Sequence, residues 1–113
     1  MKDYYDFESK ERIRINLYLE SIFKYGYITL CYLLSQYEKD EEYRECELIL
    51  HALQHHQLCY SHKHPTKYND EAKAELRKEL QEFGFSGDTI IQNIPIYAAE
   101  IKKHVRYYTE NLK

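Results

Sequence analysis

The stretch from Asp40 to His62, DEEYRECELILHALQHHQLCYSH, constrains the fold more than any other part of the chain. It reads as one long helix with two different faces. At about 100° per residue, Tyr43, Cys46, Ile49, Leu50, Leu53, Gln57 and Tyr60 gather on one side, the spacing of a core-facing stripe. His51, His55, Cys59 and His62 fall together on a flank away from that stripe, with Leu48 close by and His56 at the stripe's margin. Glu41, Glu42, Glu45 and Glu47 load the N-terminal half, where carboxylates complement the helix dipole, and the histidines gather toward the C-terminal half, where a cation is favoured. The apolar stripe requires neighbours to cover it, and the remaining sequence supplies helices to do so.

Before this stretch, Arg12 to Glu20 alternates apolar and polar residues as a strand would. Its flanks carry no strand punctuation, and a lone strand would find no partner in this chain. The expectation is therefore a helix with Ile15, Tyr18, Leu19, Ile22 and Phe23 on its core face. Ile13 and Leu17 then project elsewhere, so this helix is expected to meet neighbours on two sides, or a second subunit. Gly26 is placed to end it, Thr29 to open a short helix reaching Glu38, and Asp40 to cap the long helix that follows. Pro65 ends the helical run that passes through the histidines. Asn69 or Asp70 opens a fourth helix, with Ala72, Leu76, Leu80 and Phe83 on one face, and Gly84 stops it. Ser86 or Asp88 opens the last helix, whose stripe runs Ile94, Tyr97, Ala98, Ile101, Val105, Tyr108, Leu112. Pro95 is expected to kink or split that helix. With only Gly26, Gly84 and Gly87 in the chain there is little material for long loops. The sequence predicts an all-α fold: one compact bundle of about five helices, with short loops and a Pro-kinked C-terminal helix, over residues 1–113.

A chain of 113 residues is normally one domain and buries enough surface to need no covalent staples. Its formal net charge of −3, with both signs mixed along the chain, argues against a nucleic-acid coat or a polybasic membrane arm. Cys31, Cys46 and Cys59 form no paired framework and read as reduced thiols. The opening MKDYYDFESKER lacks the apolar core of a secretory signal, and the most apolar stretch, Tyr25 to Leu34, is too short to span a bilayer. A cytoplasmic protein is expected. The 13 tyrosines, against 4 phenylalanines and no tryptophan, suit half-buried positions and interfaces, where a ring is covered and its hydroxyl stays wet.

Three kinds of chemistry can be weighed. His51 and His55, or His55 and Cys59, stand one turn apart and can grip one metal ion. His51 and Cys59 are about 12 Å apart along the axis, too far to share a tetrahedral ion. A zinc site on His51, His55, Cys59 and His62 would thus need further ligands, such as His64, His104, a carboxylate or a partner subunit. Cys59 flanked by His55 and His62 has no oriented base or oxyanion donors around it, so thiol catalysis is not expected. AELRKELQEFGFSGDTIIQNI resembles a helix-turn-helix in the apolar residues around Gly84. It departs from that pattern at Glu79, Leu80 and Asn93, and Asp88 to Asn93 holds no Arg or Lys to approach phosphates. Lys102, Lys103 and Arg106 make a modest basic face further on.

The sequence thus predicts a non-enzymatic, cytoplasmic helical module that binds another protein or itself, without cofactor, membrane or nucleic acid. Its interface residues would be Ile13, Leu17, His51, His55, Cys59 and His62. The alternatives are a zinc protein using the His/Cys face and a helix-turn-helix-like DNA binder.

Overall fold

The computed structural model describes residues 3–60, 70–82 and 87–110. In chain order these form a single-turn 3₁₀ helix η1 (Tyr4–Asp6) and α1 (Ser9–Tyr25), α2 (Tyr27–Lys39), α3 (Tyr43–Tyr60), α4 (Asp70–Glu82) and α5 (Gly87–Glu110). The all-α bundle of five helices expected from the periodicity is the fold observed. Among the described residues no helix is long and apolar enough to cross a membrane.

Local chemistry sets the joints. Glu11 accepts the Glu8 N–H at 3.0 Å and so satisfies one of the free donors at the start of α1. Helix α1 ends at Gly26, whose N–H reaches the Ile22 carbonyl at 2.9 Å, and α2 begins at the next residue. Gly26 turns the chain at φ +97° and ψ 155°, a region open essentially to glycine alone. A Cβ there would meet no atom within 4 Å, so the glycine is required by its backbone and not by crowding.

The α2–α3 turn differs from expectation. Asp40 closes α2 instead of capping α3, which starts at Tyr43. The Glu42 N–H reaches back to the Tyr37 carbonyl at 2.9 Å and the Glu41 N–H to the Glu38 carbonyl at 3.2 Å. With Glu41 left-handed at φ +58°, this is the paired 6→1 and 5→2 bonding of a Schellman cap. Helix α2 likewise opens two residues before Thr29, whose hydroxyl instead donates to the Tyr25 carbonyl at 2.8 Å. Pro95 does not split α5, which runs through it unbroken.

Helices α1 and α2 pack on each other, and α3 and α5 each pack across both of them; α4 rests on α5 and touches α2. The core lies where these helices meet, around Tyr18, Leu30, Ile49, Leu53, Ile94 and Ile101, all fully buried. Because α3 covers two neighbours, its buried arc is wider than one stripe. It takes in Leu48 and Ala52 with Cys46, Ile49 and Leu53, while Tyr43, expected inside, is 66% exposed. Among the described residues the last helix buries Ile94, Ala98, Ile101, Val105 and Thr109 and leaves Tyr108 outside, while Leu112, expected on the same stripe, lies outside the described residues. Thr109 is tolerated there because its hydroxyl donates to the Val105 carbonyl at 2.6 Å.

Candidate functional site

The rotation of α3 brings part of the histidine face against the N-terminal segment. Phe7 is buried and holds η1 against the bundle. The Arg44 guanidinium lies 5.8 Å over its ring and pairs with Glu11 of α1 and Glu47 of α3. His51 sits edge-on to Phe7, with ring centroids 5.3 Å apart, and 6.1 Å from the ring of Tyr4. The Tyr4 hydroxyl donates to Asn16 Oδ1 at 3.1 Å. Between η1, α1 and α3 these contacts leave a groove of about 380 Å³, lined by Tyr4, Tyr5, Ile15, Asn16, Leu19, His51 and His55. Tyr5 stands at its lip, 81% exposed, with the Arg12 guanidinium 6.0 Å over its ring.

His51 is half-buried, and its Nδ1 is enclosed without a hydrogen-bond partner. Burial, reinforced by neighbouring His55, holds its pKa below the usual imidazole value against the opposing pull of Asp3 and Glu47. His51 is therefore a neutral ring in the groove wall near pH 7, and His55 stands exposed beside it. Cys59 falls within the last turn of α3, but its side chain and the whole of His62 lie outside the described residues. Of the four residues expected to form a metal face, His51 and His55 are the two seen together. Among the described residues no three His, Cys, Asp or Glu side chains gather as a metal site would require. His56 packs inward, with its ring 5.5 Å from Phe23 and 5.6 Å from Tyr27. Cys31 and Cys46 are buried; burial pushes the Cys31 thiol up to about 12, which makes it a packing residue and not a nucleophile.

The two-sided character of α1 resolves within the chain. Ile15 and Ile22 face the core, and Leu17 is also buried, at 7% exposure, beside Ile101 of α5. Leu17 is thus core and not an exposed interface residue, because α1 is covered on a second side by α5. Ile13 is partly buried against the same core.

A second feature lies across α1, α2, α3 and α5. Glu45, in the first turn of α3, points into the arc that α3 buries. One carboxylate oxygen takes Arg14 Nη1 at 2.5 Å and the other takes the Tyr18 hydroxyl at 2.5 Å. Arg14 also donates through Nε to Thr109 Oγ1 at 3.5 Å, tying α5 into the network. Burial, then Glu45, drives the Tyr18 hydroxyl pKa far up, so it remains a donor. Tyr37 of α2 faces the same hydroxyl and is likewise raised by burial. Over this floor opens a pit of about 240 Å³, lined by Lys102 and Arg106 of α5 and by Glu42 of the α2–α3 turn.

Comparison of the chain with family models, curated proteins and solved structures finds no match. Its own geometry is what speaks for its function.

Sequence reasoning missed both the η1 segment and the Glu45 network. For η1 a signal exists: Asp3 and Asp6 are spaced for a reciprocal cap, and the Asp3 N–H donates to Asp6 Oδ2 at 3.0 Å. Phe7 is the apolar anchor that follows. For the network the only signal is that Glu45 falls between Cys46 and Leu48 on the buried arc, which becomes visible once that arc is placed correctly.

Proposed function

We propose that this chain is a non-enzymatic interaction module that associates with a second copy of itself through the η1–α1–α3 face. The observation that carries this is a knob beside a hole: the exposed Tyr5 ring stands at the edge of an apolar groove floored by Ile15 and Leu19. A twofold dimer needs a patch that is its own complement, and a projecting ring next to a cleft that can receive it meets that need. Charge agrees. Asp3 and Asp6 are exposed on η1 and Arg12 stands behind Tyr5 on α1, so each copy offers both signs to the other. Tyrosine at the centre of such a patch contributes a large rigid ring at small entropic cost.

Sedimentation equilibrium tests this. The wild-type chain is expected to be a dimer at micromolar concentration, and Tyr5→Ala to weaken it at least tenfold with helicity unchanged, as Tyr5 is outside the core. A wild-type chain that stays monomeric throughout that range overturns the proposal. Dialysis against a chelator separates the zinc alternative on His51 and His55. A dimer held by packing survives it, whereas a dimer that dissolves and returns with added zinc has a shared metal site instead.

A further inference from the structure

The pit over Tyr18 and Tyr37 is distinct from the groove and has an unusual arrangement of charge. Glu45 and the Nη1 and Nε of Arg14 are used in holding the helices together. Among the described residues, Lys102 and Arg106 form no ion pair, and neither do Glu42 and Glu110. Lys102 and Arg106 stand one turn apart on α5, which puts them on the same face, and Lys102 Nζ lies 5.0 Å over the Tyr37 ring. Arg106 and Glu42, of opposite sign, line the same pit as Tyr37.

Opposite charges that line one concavity without closing on each other leave a gap that a molecule of both charges can fill. The pit's volume, about 240 Å³, lies below the ~300 Å³ at which pockets for drug-sized ligands begin, so the ligand is small. A purely anionic ligand would face Glu42 and Glu110, and a purely cationic one Lys102 and Arg106. We propose that the pit binds a small zwitterion of the α-amino-acid class, its carboxylate on Lys102 and Arg106 and its ammonium on Glu42. The guanidinium supplies a planar fork matched to a carboxylate, and the lysine a mobile point charge beside it. The Tyr18 hydroxyl, held by Glu45, and the Tyr37 side chain form a polar floor.

Ligand-observed saturation-transfer NMR on the full chain tests this with the common α-amino acids, presented singly at millimolar concentration. At least one is expected to bind. Its methyl ester, which lacks the carboxylate, and its N-acetyl derivative, which lacks the ammonium, are each expected to bind at least tenfold more weakly. Glu42→Gln and Arg106→Gln alter exposed side chains and are expected to weaken binding to a similar degree with an unchanged circular dichroism spectrum. An absence of signal from every amino acid overturns the proposal. So does an ester or N-acetyl derivative that binds as well as its parent, or a parent that binds both variants as tightly as wild type.

Discussion

Glu41 holds a backbone conformation that costs an L-residue about 1 kcal/mol or more relative to glycine. It does so because the Schellman turn between α2 and α3 fixes the position, and the side chain itself is exposed. Glu41→Gly is expected to stabilise the protein by about 1 kcal/mol in urea denaturation, with no loss of contact to offset the gain. His51 makes a prediction of opposite sign. Its pKa is lower in the folded chain than the ordinary value near 6.5, so below that pH the unfolded state binds the extra proton more readily. The stability that neutral His51 allows is therefore complete above about pH 6.5 and lost as pH falls below it, at no more than about 1.4 kcal/mol per unit. Asp3 and Glu47 moderate the loss, and His55 adds to it. His51→Gln should flatten this part of the stability profile between neutral and mildly acid pH; an unchanged slope would assign it to other groups. Neither feature could be read from residue identity alone. A left-handed glutamate carries no sequence mark, and the histidine's environment depends on Phe7, far away in the chain.

Among elements, α1 shows most clearly what periodicity can and cannot give. Its helical nature was legible despite the strand-like alternation of Arg12 to Glu20, because no partner strand was available. The presence of a second buried side was legible too, from Ile13 and Leu17. What covers that side was not, since a stripe on a helix looks the same whether a neighbour in the chain or another molecule lies over it. With α5 in place, Leu17→Asp puts a carboxylate into the α1–α5 contact and is expected to cost about 3 kcal/mol or more, and so to lower Tm sharply. A variant that kept wild-type Tm but lost self-association would return Leu17 to an interface. The stripe of α3 was misplaced toward Tyr43 for a related reason. A helix between two neighbours buries a broad arc, and Leu48 and Ala52 complete it. Of the two outcomes expected at Pro95, a split is not what forms: one missing backbone bond and the proline ring are tolerated in a helix anchored from Ile94 to Val105 by the core.

For the whole molecule, the fold class and the order of the helices followed from apolar spacing, whereas the candidate sites arose from contacts between distant segments. The groove needs η1 beside α3, and the pit needs four helices. The one-residue joint at Gly26 bears on the molecule as a unit. Gly26→Ala removes the residue best suited to that turn, at a cost of about 1–3 kcal/mol, while adding a good helix former between two helices. The alternative is for α1 and α2 to run straight on as one helix from Ser9 to Lys39, roughly 46 Å long at about 1.5 Å per residue. The present bundle measures 44 Å along its longest axis. Such a rod would carry its second half beyond its own core and offer it to another chain, completing each bundle with an exchanged helix. Gly26→Ala is therefore expected to yield a domain-swapped dimer, detected as a slowly exchanging species in size-exclusion chromatography that Tyr5→Ala does not dissolve. On that outcome, a single glycine is what separates a self-contained bundle from an intertwined one.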